Sequence, residues 1–183
     1  MKSKLFLFAF IISLCILSCD NDSLKSKNIS EYSRSLNTWN TLKEINGTSY
    51  TYEVSSGSVF GFGSTTQITV KNNIVISRVY EAYSIYDNDN NYVGYDNRII
   101  SITYSENSEN LGSNDSGASP VIIDDLYTTC LNDYLSVNSS SNTIGFEVDD
   151  SNIIKACYYV PNGCQDDCST GITLTDFKWL ETE

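Results

Sequence analysis

Residues 68–80 read ITVKNNIVISRVY, and this stretch decides the fold class. Ile68 and Val70 alternate with polar residues, and a β-branched run begins at Ile74, just after Asn72 and Asn73. A period of two predicts a half-buried strand, and two asparagines between such runs favour a tight turn. The stretch therefore predicts an antiparallel hairpin.

The same pattern recurs in residues 144–159, IGFEVDDSNIIKACYY, where residues 149–152 supply the turn. Shorter runs with strand character cover residues 50–54, 99–104 and 171–179. Hairpin-linked strands pair antiparallel, because parallel neighbours need long crossover connections. We therefore expect a mainly antiparallel sheet.

Two stretches have helical spacing instead. The first carries an apolar stripe of Tyr32, Leu36, Trp39, Leu42 and Ile45, and Asn46-Gly47 supplies the stop. The second, after Ser119-Pro120, repeats apolar residues at three- and four-residue steps: Ile123, Leu126, Tyr127, Cys130, Leu131 and Tyr134. Each stripe predicts a helix with one face against the sheet.

These elements predict an α+β fold, a mainly antiparallel sheet with two helices on one face. Each helix precedes a hairpin, so two helix-plus-hairpin repeats are possible, with the polar loop 105–119 between the halves. We expect a signal peptide over residues 1–18, a flexible polar tether over 19–30 and a single domain over 31–183.

The amino terminus has the layout of an export signal. Lys2 and Lys4 precede an apolar run over residues 5–17 that is too short to span a bilayer. Residues 16–19, ILSC, resemble the bacterial lipobox; an ordinary signal peptide with a chance cysteine is the alternative. The resemblance implies cleavage before Cys19, acyl chains such as palmitate on that residue, and a lipid anchor in a membrane of the bacterial cell envelope.

The charge of the chain is strongly acidic. Lys2 and Lys4 are the only charged residues in 1–18, so their removal leaves nine basic and 23 acidic residues, a formal net charge of −14. Such a surface repels nucleic acid, and we expect no nucleic-acid partner. The expected partners are the membrane, through the anchor, and a protein or a glycan.

Four further cysteines lie in the last third of the chain, Cys130, Cys157, Cys164 and Cys168. In an exported chain an even number favours disulfides, whereas a zinc site lacks both a C-x₂-C pair and any histidine. We favour Cys130 with Cys157 and Cys164 with Cys168. Pairing of Cys157 with a cysteine of the 164–168 turn remains the alternative.

The region from Tyr80 to Tyr95 is rich in tyrosine, aspartate and asparagine. Such side chains bind carbohydrates or proteins, but we favour the simpler explanation of a strand end and an exposed turn whose tyrosines cover the sheet edge. The candidate ligand-binding residues are Tyr86, Asp87, Asp89, Asn91 and Tyr92. A calcium loop is incomplete here, because Tyr92 replaces the glycine and Arg98 the final acid, so no metal or other cofactor is predicted.

Catalytic residues are not predicted. Adjacent acids occur at residues 124–125, 149–150 and 166–167, but sequence neighbours seldom face one site, and turns and helix starts explain them. Without histidine, a triad with a histidine base is impossible. We expect a non-enzymatic binding or structural domain; the alternative is a hydrolase or carbohydrate-processing accessory enzyme that uses acids near the tyrosine-rich region.

Several short segments also resemble a family of uncharacterised small exported bacterial lipoproteins. They are Trp39, Asn46-Gly47, residues 50–52, residues 69–73, residues 123–127, Gly171-Ile172 and Phe177. The resemblance implies a helix-then-hairpin architecture and a membrane-tethered envelope protein. It implies no activity.

Overall fold

The computed structural model describes residues 20–166 and 168–181. A long helix, α1, is followed by four strands, and a short helix, α2, by three more. The bounds are α1 Asp20–Asn46, β1 Tyr50–Gly57, β2 Phe62–Lys71, β3 Ile74–Ser84, β4 Ile99–Asn107, α2 Ile123–Thr129, β5 Asn142–Val148, β6 Ile154–Pro161 and β7 Thr170–Trp179. A π-helical turn, Cys130–Tyr134, extends α2.

The strands form one seven-stranded sheet in the order β4-β3-β2-β1-β7-β6-β5, with every neighbouring pair antiparallel. The predicted α+β class is confirmed. Each helix precedes an antiparallel meander, of four strands after α1 and three after α2, and β1 pairs with β7 to join them. Asn72 and Asn73 have φ values of 51° and 62°, as the two-residue turn of the β2–β3 hairpin requires.

Both helices contribute to one core on one face of the sheet, which we call the helical face. Trp39 of α1 is fully buried and stacks on Trp179 of β7, with ring centroids 5.4 Å apart. It also meets the ring of Tyr50 edge-on at 5.1 Å. These aromatic contacts hold the second half of α1 over the centre of the sheet, where β1 and β7 pair.

A hydrogen-bonded tyrosine joins the two helices to the sheet. The hydroxyl of Tyr127 on α2 lies 2.6 Å from the Ser35 hydroxyl on α1 and accepts a 2.9 Å hydrogen bond from the Ile154 amide of β6. All three residues are buried. Because each polar atom has a partner, this contact fixes the helices without leaving a buried group unsatisfied.

The expected tether over residues 19–30 is wrong for residues 20–30, which form the first part of α1. The reason is polar packing against β5 and its preceding loop. The Asn28 side chain is buried and donates a 2.8 Å hydrogen bond to the Ile144 carbonyl, and Lys25 Nζ lies 3.5 Å from the Val137 carbonyl. Cys19 and the predicted signal peptide lie outside the described residues.

The two ends of the sheet differ in what they carry. We call one end of the sheet the lower end. The elements that begin there are α1, β2, β4, β5 and β7. The pairing register of β1 and β2 places the tip of their hairpin at the same end. At the upper end α1 stops at Asn46, and the turns at residues 72–73 and 149–152 follow. Residues 24, 25 and 28 of α1 lie beside Asn142 and Asn162, so α1 starts at the lower end near the β5 edge.

Candidate binding site and exposed surfaces

The tyrosine-rich loop between β3 and β4 closes on itself as a small hairpin. Tyr86 and Tyr92 form an isolated bridge, and their rings meet edge-on at 5.7 Å. Asp87 Oδ1 accepts hydrogen bonds from the amides of Asp89, at 2.9 Å, and Asn91, at 2.8 Å. The five candidate residues are therefore brought together, but as a turn whose polar groups bind one another.

The Asp87 carboxylate accepts further hydrogen bonds from the Asn91 side chain. The Asn91 side-chain amide lies 3.1 Å from its second oxygen, Oδ2. The hydrogen bonds from the Asn91 amide and side chain, and then from Asp89, lower the pKa of Asp87 below its ordinary value. A cation at Oδ2 would compete with the Asn91 side-chain amide. In the described residues no group of three or more acidic or cysteine side chains is arranged to hold a metal ion.

Arg98 fixes this loop to β3 on the face of the sheet opposite the helices. Its Nη2 donates a 2.9 Å hydrogen bond to Glu81, and its guanidinium lies 4.5 Å from the ring centre of Tyr95 and 5.4 Å from that of Tyr83. The hydrogen bond to Glu81 raises the pKa of Arg98 above its ordinary value. Arg98 therefore holds the loop in place between two aromatic rings.

The paired acids occupy structural positions. Asp124, in the first turn of α2, accepts a 3.2 Å hydrogen bond from Trp39 Nε1 and forms an ion pair with Lys43. Asp149 Oδ1 caps the β5–β6 turn through the amides of Ser151 and Ile153. In the remaining pair, Asp166 lies in the turn after β6, and Asp167 is outside the described residues.

The structure joins Cys130 to Cys157 and Cys164 to Cys168 as disulfides. The first links the π-helical turn to β6 and is fully buried. The second closes the exposed turn between β6 and β7. The buried bridge thus adds a covalent link between the helical layer and the sheet.

A cleft of about 600 Å³ opens on the helical face between α2, the loop after β4 and the ends of β1, β2 and β7 nearest the lower end. Its apolar part consists of Val54, Val121, Leu126 and Ile172. Gly117 lets the loop approach the sheet, because a Cβ there would lie 2.6 Å from the Tyr80 ring and 2.7 Å from Thr66 Oγ1. The residues of this cleft are distant along the chain, so no local sequence pattern marks the site.

Hydroxyl groups form the polar part of the cleft. Five of these hydroxyls have no hydrogen-bond partner among the described residues: Ser56, Ser64, Ser119, Thr129 and Tyr134. The cleft is lined by no Asp, Glu, Lys, Arg or Cys side chain. Burial, and then the charge of Asp133, raises the pKa of Tyr134 above its ordinary value of 10.0, so its hydroxyl is neutral near pH 7.

Exposed apolar side chains gather at two other places. Val59, Phe60 and Phe62 at the β1–β2 tip are 77%, 68% and 64% exposed, and Tyr92 is 69% exposed. The edge strand β4 leaves Ile99, Ile100 and Ile102 exposed. Isolated exposed apolar residues are ordinary, but clusters mark contact surfaces.

These features define the class of the protein as a small α+β domain with an uncharged cleft. No protein-family model, curated protein or solved structure matches the chain. Among the described helices, none combines the length and apolar character needed to cross a membrane.

Proposed function

We propose that this protein is a lipid-anchored protein of the bacterial cell envelope whose domain binds a small, uncharged, amphipathic molecule without transforming it. The observation that carries the proposal is the cleft, which offers hydroxyls and apolar side chains but no charged group. The lipobox-like residues 16–19 support the anchor.

The cleft fits such a ligand in size and chemistry. Its volume of about 600 Å³ falls in the range of small-molecule sites, which combine apolar walls with a few polar groups. A charged ligand would lose hydration there without gaining an opposite charge. A neutral molecule with one apolar side and a few hydrogen-bonding groups has no such cost.

The same lining argues against catalysis. General acid–base chemistry near pH 7 needs a group that gains or loses a proton in that range, and nucleophilic catalysis needs an activated nucleophile. The cleft presents hydroxyls with no base among the residues that line it. The carboxylate of Asp87, which the alternative hydrolase would use, is held in its own turn.

A neutral fluorescent probe such as Nile red tests the binding site. Ser64 faces the cleft from β2, so Ser64→Phe fills the cleft and is expected to weaken probe binding at least tenfold. Gln67→Phe places the same side chain on the opposite face of β2 and is expected to leave binding unchanged. Equal binding by both variants and the parent would place the probe elsewhere and refute the assignment.

Mass spectrometry of the mature amino terminus tests the anchor. We expect an acylated Cys19 as the first residue, and Cys19→Ser is expected to yield an unprocessed or released protein. A mature chain that begins at another residue without acyl groups would contradict the proposed attachment.

A further inference from the structure

From the start of α1 and the apolar hairpin tip we infer that the lower end of the sheet rests on the bilayer, with Phe60 and its neighbours in the interface. This inference rests on the proposed lipid attachment at Cys19. The surface that it assigns to the membrane consists of Val59, Phe60, Phe62 and Tyr92. The expected lipid surface is zwitterionic.

The chain between the lipid and the domain is very short. Helix α1 begins at Asp20, the residue next to Cys19. Adjacent Cα atoms are about 3.8 Å apart, so a lipidated Cys19 would leave almost no slack. About two turns into α1, the buried side chain of Asn28 is bound to the Ile144 carbonyl and ties this part of the helix to the sheet. The domain therefore cannot turn freely above its anchor.

The exposed apolar residues lie at the same end of the sheet as the start of α1. The start of α1 lies beside the beginning of β5, and the β1–β2 tip lies at the same end of the sheet. Three strand spacings separate β5 from β1, a lateral distance of about 15 Å. A flat bilayer surface that meets the anchor can therefore meet the tip as well.

The tip is built to hold its apolar side chains outward. The Ser58 amide donates to the Phe62 carbonyl at 2.8 Å, and the Ile85 amide donates to the Gly61 carbonyl at 2.9 Å. Gly61 has a φ of +81°, and a Cβ there would lie 2.4 Å from the Tyr86 ring. The backbone is thus pinned to the neighbouring loop, and Val59, Phe60 and Phe62 remain exposed. Aromatic residues in such positions are favoured at the membrane interface.

Charge selects the type of lipid. Asp87 and Asp89 lie in the loop beside Tyr92, and the whole chain has a formal net charge of −12. Anionic headgroups would be repelled, whereas phosphatidylcholine or phosphatidylethanolamine carries no net charge. The hydrophobic effect therefore holds this surface on the bilayer, and added salt is expected to change its affinity for the bilayer little.

The test uses the full lipidated protein in phosphatidylcholine vesicles whose acyl chains carry bromine, which quenches nearby tryptophan. Phe60→Trp places a probe at the lower end, and Ile74→Trp places one at the upper end, where Ile74 is 66% exposed. Trp39 and Trp179 give a common background. After this background is subtracted, we expect bromine to quench the fluorescence of the new tryptophan in Phe60→Trp at least twice as strongly as that in Ile74→Trp.

Mass spectrometry of the same samples separates two kinds of failure. An acylated protein with equal quenching at both positions, or none at position 60, overturns the orientation and leaves the lipid attachment intact. A protein without acyl chains overturns the attachment and the orientation together.

Discussion

Arg78 on β3 and Glu106 on β4 form a buried two-point ion pair across the helical face. Arg78 Nε and Nη2 each donate a 2.8 Å hydrogen bond to a different oxygen of Glu106. The amides of Gly112 and Asn114 donate to the same carboxylate at 2.7 and 2.8 Å, and Arg78 Nη1 donates to the Ala118 carbonyl. The pair therefore fixes the polar loop that forms one side of the cleft.

Acid stability should depend on this pair. Hydrogen bonds from Arg78, and then from Asn114 and Gly112, lower the pKa of Glu106 far below its ordinary value of 4.5. The ionised carboxylate is therefore more stable in the folded protein than in the unfolded chain. Its contribution to the free energy of unfolding is complete at pH values above 4.5 and is lost as the pH falls below 4.5. Glu106→Gln is expected to lower Tm at pH 7 by on the order of 10 °C. Because the variant lacks this carboxylate, its Tm is expected to decrease less than that of the parent as the pH is lowered.

Circular-dichroism melts between pH 7 and pH 2 measure this effect. The matched control is Asp176→Asn, which removes one partner of an exposed ion pair with Lys178. Exposed pairs contribute little, so that variant should follow the parent curve. Identical curves for Glu106→Gln and the parent would contradict the assigned role of the buried pair.

Trp39 is the single side chain whose truncation should destabilise the domain most clearly. Trp39→Ala removes a fully buried ring and its stack on Trp179, and is expected to cost about 3 to 5 kcal/mol. Trp39→Phe keeps much of the burial and loses the hydrogen bond to Asp124, so its cost should be smaller. Urea unfolding measures both, and equal losses would show that the hydrogen bond, not the packing, dominates.

The two disulfides should contribute unequally to the free energy of unfolding. Cys130 and Cys157 are 27 residues apart, and the loop-closure estimate for their bridge is about 3 to 4 kcal/mol. Cys164 and Cys168 are four residues apart, which gives about 2 kcal/mol. The double variants Cys130→Ala/Cys157→Ala and Cys164→Ala/Cys168→Ala should be compared by denaturation, after peptide mapping without reductant. A peptide that joins Cys157 to the 164–168 turn would refute the pairing.

Calcium is expected to leave the stability of the domain unchanged. The Asp87 oxygens already accept hydrogen bonds from the amides of Asp89 and Asn91 and from the Asn91 side chain. A ligand that binds only the folded state must raise Tm, so melts with calcium and with a chelator should coincide. A rise of several degrees with calcium, lost in Asp87→Ala, would show a site at this turn.

The strands could be predicted because their signals are local. The turn residues Asn72 and Asn73 lie between runs with the strand pattern, and the structure places β2 and β3 on either side of them. The first turns of α1 contain no regularly spaced apolar residues. Their contact with the sheet is the hydrogen bond from Asn28 to Ile144 of β5, which lies 116 residues further along the chain. Such a contact between distant residues leaves no periodic pattern in the sequence, so the polar composition of this segment predicts a tether.

The cleft could not be predicted for a related reason. Ser56, Ser64, Ser119, Thr129 and Tyr134 are unremarkable in their own segments, and only tertiary packing brings them together. Arg78 is the one local indication of the loop beside the cleft. A charged residue within a strand that is predicted to be apolar needs a partner of opposite charge if it is buried. The sequence does not identify that partner as Glu106, because the pairing register of β3 and β4 decides it.

The two margins of the sheet are not equivalent. Along β5, the Ile144 carbonyl is occupied by Asn28 of α1, whereas β4 has no further strand beside it in the described chain and carries three exposed isoleucines. A strand added along β5 would have to displace Asn28, whereas no such side-chain contact lies along β4 in the described chain. Two molecules that met along β4 would leave β5, with Asn28 bound to the Ile144 carbonyl, at each outer margin, so a further strand added there would cost this hydrogen bond.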